Sequence, residues 1–293
     1  MKCVAEPFAK AKTLLTGESL MSAWIDTHTH LQATVFDHDL ESLVAQARVV
    51  GVIDMIICAG SAADWARCAQ IAQSLDLSYT LGIHPLFTPE AQEADLALLE
   101  ERVEQALSDK HFVGIGEIGI DSFVGTLDDE KQEHFFAEQL KIARRYALPL
   151  SVHIRRSGSR LLKYLNRYGA VGGVIHAFNG SQDEFDRFAQ LGFRFGFGGA
   201  STYVGSQRIR RHLAGALETQ WVLETDAPDI PSSRRRDEGN LRTEPADIVE
   251  TGELAATLRG ITVEEASRQS LRNAFLAFPR LALRHPELSS TLG

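Results

Sequence analysis

Eight short runs of apolar and β-branched residues recur along the chain, each followed by a longer segment with helical periodicity. That alternation constrains the fold more than any other feature. The runs are Trp24–Thr27, Val52–Cys58, Leu77–Ile83, Phe112–Glu117, Leu150–Ile154, Gly173–Ala177, Phe193–Phe197 and Trp221–Thr225. Their near-continuous apolarity suits strands covered on both faces, as in a parallel sheet. Between them, Leu40, Leu43, Val44, Ala47 and Val50 mark one helical stripe, and Phe135, Phe136, Leu140, Ile142 and Ala143 a second, on a helix expected from about Leu127 to Ala147. Leu161, Leu162 and Leu165 mark a third; Phe185, Phe188, Ala189 and Leu191 mark a fourth. Gly51, Gly169 and Gly192 stand where helices should stop, and Pro149 precedes a strand. The pattern predicts an α/β fold, a (β/α)8 TIM barrel. A doubly wound open sheet would need a Gly-rich phosphate loop after its first strand, whereas here that strand ends in His28-Thr29-His30.

The 293 residues contain no internal repeat and no low-complexity linker, so we expect one barrel domain over residues 22–281. Residues 1–21 lack the continuous apolar core of a secretory signal and are expected to be a disordered or peripheral N-terminal extension. Val263–Leu281 reads as a packing helix and 282–293 as a C-terminal tail, frayed from Arg284 onward. The longest apolar runs, such as Val49–Ile57 with Gly51 and Asp54 inside it, fall short of the roughly 20 residues that span a bilayer. Three cysteines are too few for a disulfide framework, which points to a reducing, cytoplasmic setting. Asp and Glu number 39 against 30 Lys and Arg, a net charge of −9. That balance disfavours a protein gripping nucleic acid with its whole surface, and leaves an enzyme that meets phosphates locally.

Chemistry in such barrels sits at the C-terminal ends of the strands. Six candidate metal ligands fall there: His28, His30, Glu117, His153, His176 and Asp226. A His-x-His pair at a strand end offers one cation two nitrogens from the same face. A carboxylate such as Glu117 can bridge two ions about 3.5–4 Å apart, with His153 and His176 completing the second. Asp226 can bind the first ion and accept a proton from water. A single strand-end histidine is ordinarily a satisfied packing group. Six such groups at corresponding positions are a different matter, because without a cation they would crowd unpaired charges and donors into a confined space. His38, His134, His212 and His285 fall on helices or tails and His111 enters the fourth strand from its N-terminal end, so these five are expected to play no catalytic part. His84, in Gly82-Ile83-His84-Pro85 at the end of the third strand, faces the mouth and is a candidate substrate contact.

Here a resemblance becomes specific. Ile25-Asp26-Thr27-His28-Thr29-His30, Gly82-Ile83-His84-Pro85, Gly116-Glu117-Ile118-Gly119-Ile120-Asp121, Val152-His153-Ile154-Arg155, Ile175-His176-Ala177-Phe178-Asn179-Gly180 and Leu223-Glu224-Thr225-Asp226-Ala227-Pro228 follow in order over about residues 24–280. In these motifs the chain resembles the TatD family of metal-dependent deoxyribonucleases, among the amidohydrolase-type barrels. The resemblance implies divalent metal binding by His28, His30, Glu117, His153, His176 and Asp226, with Glu117 shared. It also implies phosphodiester hydrolysis in DNA, often as an exonuclease. Gly196–Tyr203 and Asp229-Ile230-Pro231 resemble a less-studied bacterial branch. The chain departs from many relatives at Leu86, where they carry a second histidine, at Asn179, and loosely over Asn240–Pro245. These departures touch the substrate side and leave the ligand set whole.

The function expected is therefore a divalent-metal-dependent hydrolase, a deoxyribonuclease using a metal-activated water, with Asp226 and Glu117 as catalytic groups. Two ions are expected, zinc, manganese, nickel or magnesium. The partner expected is DNA or another nucleotide-containing substrate. Arg155 and Arg156 follow the fifth strand and Arg234–Arg236 the eighth; Arg155, inside a matched motif, is the candidate phosphate contact. Phe87, Phe123, Phe178 and Tyr203 are aromatic residues that could stack bases or merely pack. Hydrolysis of an amide, ester or aminoacyl-tRNA bond at the same site, and a non-catalytic barrel that binds nucleic acid or protein, are the competing readings.

Overall fold

The computed structural model describes residues 22–292; the expected N-terminal extension lies outside the described residues. Eight parallel strands form one sheet in sequence order. They are β1 (Trp24–Thr29), β2 (Val52–Cys58), β3 (Ser78–Leu81), β4 (Phe112–Asp121), β5 (Leu150–Arg155), β6 (Gly173–Ile175), β7 (Phe193–Phe197) and β8 (Trp221–Leu223). β8 returns to β1 through two backbone hydrogen bonds, Asp226 N–H to the His28 carbonyl at 2.9 Å and His30 N–H to the Ala227 carbonyl at 2.7 Å. The sheet is thereby a nearly closed (β/α)8 barrel, as the alternation predicts.

The surrounding helices are α1 (Leu40–Val49), α2 (Trp65–Leu75), α3 (Glu93–Ala106), α4 (Asp129–Arg145), α5 (Gly158–Tyr168), α6 (Gln182–Gln190), α7 (Gln207–Gly215), α8 (Ser233–Asp237), α9 (Ile248–Arg259), α10 (Val263–Ala277) and α11 (Pro286–Leu292). The apolar stripes read from the sequence face the sheet: Leu43, Val44 and Ala47 on α1, Phe135, Phe136 and Leu140 on α4, and Phe185 and Phe188 on α6 are buried. α1 ends at Gly51, whose φ of +95° is open to glycine at little cost. No helix among the described residues is long and apolar enough to cross a membrane.

Strand alternation divides the apolar residues into two cores. Ile25, Ile56, Val113, Val174 and Val222 point into the barrel, where they meet Leu271, Ala274, Ala277, Phe278 and Leu281 from the C-terminal segment. That segment closes the lower, N-terminal end of the barrel and leaves the upper end for chemistry. It is not the single helix expected over Val263–Leu281. α10 stops at Ala277, and a 3₁₀ turn, Pro279–Leu283, follows. Pro279 has no N–H to continue the helix and moves Phe278 out of helical backbone, to φ −126° and ψ 79°.

The tail beyond it is not frayed at its start. The Arg284 side chain is 2% exposed, its Nε 3.1 Å from Asp54 Oδ2, and Nη1 donates to the Leu77 carbonyl at 2.7 Å. His285 Nε2 lies 2.9 Å from the same Asp54 oxygen. Asp54, Arg284 and His285 form a charged clasp beneath the barrel, and α11 continues the chain as helix.

Candidate metal centre

The candidate ligands meet because the strand ends do, but simple alternation would not have pointed them all inward. Ile25 and His28 have opposite parity, yet both face the interior; β1 slips register against β2 between Asp26 and Thr29. β4 slips twice, between Phe112 and Gly114 and between Ile115 and Ile118, so that Ile115 packs outward with Ile118 and Ile120 while Val113 and Glu117, of the same parity as Ile115, face inward. β5, β6 and β8 keep the plain period of two: Ser151 and His153, Val174 and His176, and Val222, Glu224 and Asp226 share the inner face.

His28 Nε2 lies 3.3 Å from His30 Nε2, 3.2 Å from Glu117 Oε2 and 3.6 Å from Asp226 Oδ1. His30 Nε2 lies 3.3 Å from both Glu117 Oε2 and Asp226 Oδ1. The other oxygen of Glu117 faces a second group: Oε1 is 3.0 Å from His153 Nδ1 and 3.3 Å from His84 Nε2. The His176 ring stacks on His28 with centroids 3.7 Å apart, and its Nε2 lies 3.5 Å from Asp226 Oδ1. His176 thus sits with His28 and Asp226, and the His84 ring lies next to that of His153, with centroids 4.4 Å apart. Three overlapping triplets have donor atoms close enough to hold a cation: His28/Glu117/His176, His28/His30/Asp226 and His84/Glu117/His153.

The spacing fits a divalent ion. Ligands about 2.1 Å from a tetrahedral centre stand about 3.4 Å apart, and the distances of His28 and His30 from each other, from Glu117 and from Asp226 run from 3.2 to 3.6 Å. Electrostatics point the same way. Burial would push the Glu117 and Asp226 carboxyls up, but His84 and His28 around the first, and His176 and His30 around the second, hold both well below the carboxylate range. Burial pulls His30 down, yet hydrogen bonds and charge from Asp226 and Glu117 carry it up to about 10. His176 is likewise raised against its burial, by Glu224 and Asp226, and His153 by Asp121 and Glu117. Burial keeps His28 and His84 below their ordinary value. Without a cation the carboxylates recruit protons onto imidazoles; a divalent ion supplies that positive charge instead.

Hydrogen bonds on the far side of each ring decide which nitrogen faces the cluster with a lone pair. His30 Nδ1 is 2.9 Å from the Cys58 carbonyl, which can only accept, so Nδ1 carries the proton and Nε2 is the donor atom. His153 Nε2 lies 3.2 Å from Asp121 Oδ2, a carboxylate that imposes the same logic, and His176 Nδ1 stands 2.9 Å from Glu224 Oε1 in an ion-pair contact outside hydrogen-bond geometry. His28 Nδ1 rests 2.9 Å from Ser151 Oγ. His84 is reversed. Its Nδ1 accepts the Leu86 N–H at 3.1 Å, so the proton of the neutral ring sits on Nε2, facing Glu117. Among the five rings, His84 presents a donor hydrogen where the others can present a lone pair.

The sequence motifs do not single out Asp121 and Glu224, although a signal for both is there. Asp121 shares parity with Glu117, and Glu224 with Val222 and Asp226. Glu224 is 1% exposed and also accepts the Ala177 N–H at 2.7 Å. Asp226 itself is held at φ +60°, and Ala177, next to His176, at φ +44°. Such left-handed backbone in non-glycine residues concentrates at functional sites.

His38, His111, His134, His212 and His285 take no part in the cluster: His111 Nδ1 lies 2.7 Å from the Leu77 carbonyl at the lower end, and His134 pairs with Glu93 on the outer surface. Arg155, the last residue of β5, and Arg156 after it are exposed on the rim. Arg234 and Arg235 are tied down instead, Arg234 to Glu238, Asp247 and Glu250, and the buried Arg235 to Glu244 and Asp247. The four aromatic residues separate as well. Phe178 is fully buried and Tyr203 bonds the Pro231 carbonyl, whereas Phe87 and Phe123 are 45% and 47% exposed.

Comparison with known proteins agrees with this geometry. Residues 25–279 match the family described as TatD related DNase. The chain is 32% identical over 261 residues to the uncharacterized metal-dependent hydrolase YjjV of Escherichia coli, covering 88% of this chain and 99% of that one; the YjjV crystal structure superposes with a TM-score of 0.83 over the same shares. The putative deoxyribonuclease TATDN3 of Mus musculus is 30% identical, over 91% of this chain and 92% of its own. The 3'-5' ssDNA/RNA exonuclease TatD of Cronobacter sakazakii is 29% identical, over 85% and 98%. A barrel with histidines and carboxylates converging at its upper mouth, matched over residues 25–279, belongs to the TatD-related DNase family.

Proposed function

We propose that this TatD-type metal-dependent hydrolase is a deoxyribonuclease that holds two divalent ions and cleaves phosphodiester bonds. The observation that carries the reading is the division of Glu117, whose Oε2 faces His28 and His30 while Oε1 faces His153. One ion would take His28, His30, Glu117 and Asp226; the second would take Glu117 and His153, with His176 beside the first. Mixed imidazole and carboxylate donors suit zinc, manganese or nickel, and magnesium with less nitrogen. When bound, such ions supply Lewis acidity toward the phosphoryl oxygens and make water ionisable near neutral pH.

The chain's own groups do the rest. Asp226, ionised and at the mouth, takes the proton of the attacking water. Glu117 holds its two oxygens apart and keeps both donor groups in register. His84, neutral with its hydrogen on Nε2, donates to an oxygen of the phosphodiester, where charge grows as the bond to the leaving oxygen breaks. Arg155 supplies a guanidinium for the adjoining phosphate. Because relatives are named as acting on DNA and on single-stranded DNA and RNA, the substrate tested first is a single-stranded oligodeoxynucleotide.

The experiment removes metal with a chelator, restores zinc, manganese, nickel or magnesium separately, and follows nucleotide release from that oligonucleotide beside hydrolysis of an amide and a carboxylic ester. Metal-dependent nucleotide release exceeding both other reactions supports the proposal. Amide or ester hydrolysis without nucleotide release overturns it.

A further inference from the structure

Outside the metal cluster, the rim above β3, β4 and β5 carries an arrangement that the ligand set leaves unused. Phe123 follows β4; its N–H donates to Asp121 Oδ1 at 2.8 Å, and Asp121 Oδ2 in turn reaches His153. The Arg155 guanidinium lies 3.8 Å from the centre of the Phe123 ring and that of Arg156 lies 4.7 Å from it. Ser122 N–H donates to the Arg155 carbonyl at 2.8 Å, which ties the two loops together. Arg156 holds a left-handed φ of +56°, unusual for a side chain of its size. Among the described residues neither guanidinium forms an ion pair with a carboxylate, in contrast to Arg234 and Arg235. On the next loop, Phe87 packs its ring 6.1 Å from that of His84.

An exposed aromatic ring costs solvation, and in a chain of net charge −9 two unpaired arginines on one ring form a local positive spot. Phe87 and Phe123 flank the half of the cluster that holds His84 and His153. Their π surfaces and the two guanidinium planes offer what an unstacked base and its phosphate need: a flat face and fixed positive charge. A duplex keeps its bases stacked on one another and cannot use such a platform without opening.

We propose that Phe87, Phe123, Arg155 and Arg156 form a seat for a single-stranded nucleic acid segment, stacking an unpaired base and pairing its phosphate next to the scissile bond. The inference rests on the phosphodiesterase reading of the metal centre and names the form of nucleic acid that centre receives.

The test uses a fluorescein-labelled ten-residue oligothymidylate. Its affinity is read by fluorescence anisotropy on the full chain carrying Asp226→Asn, alone and combined with Phe123→Ala or with Arg155→Gln/Arg156→Gln. Phe123→Ala should raise Kd roughly 5- to 150-fold, the equivalent of about 1–3 kcal/mol for one stacked base. The arginine pair should flatten the slope of log Kd against log salt by about 0.7 for each phosphate that is no longer neutralised. On chains retaining Asp226, kcat/KM for the oligonucleotide should fall further than for bis(p-nitrophenyl) phosphate, which carries no base. An unchanged Kd in Phe123→Ala with an unchanged salt slope in the arginine pair overturns the seat, even if the protein cleaves phosphodiesters. The same changes in Kd and slope in a protein that cleaves no phosphodiester uphold the seat and overturn the nuclease reading alone.

Discussion

Replacing Gly196 with alanine tests how His176 is held. Gly196 lies on β7 facing Glu224, and a methyl group there would stand 2.7 Å from Oε1 of that carboxylate and nearer still to Oε2, against an ordinary contact of 3.4–4 Å. Its nearer oxygen would stand 1.9 Å from the methyl, so the carboxylate has to retreat by about 1.5 Å. At 1% exposure it has no solvent to swing into, and retreat withdraws Oε1 from the Ala177 N–H at 2.7 Å and from His176 Nδ1 at 2.9 Å. A hydrogen bond to a charged acceptor contributes about 1.5–3 kcal/mol, so the variant should unfold a few degrees below the parent. Loss of the group that orients a ligating histidine lowers metal affinity about 10- to 100-fold, or about 1.4–2.7 kcal/mol. Calorimetric titration of zinc or manganese into the chelator-treated protein measures the second effect, and a thermal scan of the same samples the first. Glu224→Gln keeps the side-chain volume and removes the charge, so it should reproduce the loss of affinity without steric strain. Parent-like affinity in both variants would refute the link between Gly196, Glu224 and the cluster.

Asp226→Asn should lower kcat for phosphodiester hydrolysis about 10²- to 10⁴-fold while leaving the thermal midpoint near that of the parent; steady-state kinetics with a melting curve checks both. Exchanging His28 and His30 together for alanine should reduce bound metal, read by elemental analysis of the purified protein. Beneath the barrel, the Asp54 carboxyl is buried, which opposes ionisation, but His285 and Arg284 bring it down to about 2 from 3.8. A lowered carboxyl stabilises the fold above pH 4 and loses that contribution, about 2 kcal/mol, as pH falls toward 2; urea unfolding across that window should show it. Asp54→Asn removes one of the two carboxylates paired with Arg284, leaving Asp76, and should cost about 1.5–3 kcal/mol, with the acid-dependent part of the profile flattened. Arg235→Gln should act on stability rather than on substrate, because this residue is 7% exposed and its guanidinium is paired with Glu244 and Asp247; a raised KM at an unchanged melting temperature would contradict the pairing.

Much of the fold is legible in the sequence because the signals for it are local. A strand buried on both faces must be apolar almost throughout, and a helix lying on it must repeat its apolar residues every three or four positions, so Val52–Cys58 and Phe193–Phe197 are legible to the residue. The break at Pro279 is also local and follows from proline's missing N–H. The clasp of Arg284 and His285 on Asp54 is not, since nothing near residue 284 shows that a carboxylate from β2 waits 230 positions away.

Sequence by itself determined the order of strands and helices, the C-terminal strand ends that carry imidazoles and carboxylates, and the family to which those motifs point. Tertiary structure decided the phase in which β1 and β4 present His28 and Glu117, because register slips against neighbouring strands, not the intrinsic period of two, set which face a side chain takes. It decided that His84 offers a hydrogen while His30 offers a lone pair, since the Leu86 N–H and the Cys58 carbonyl fix those protons. It also decided that Arg235 is bound to carboxylates while Arg155 lies over Phe123. Charge and aromaticity are properties of a residue, but the partner that uses them is supplied by barrel closure, which joins segments far apart in the chain.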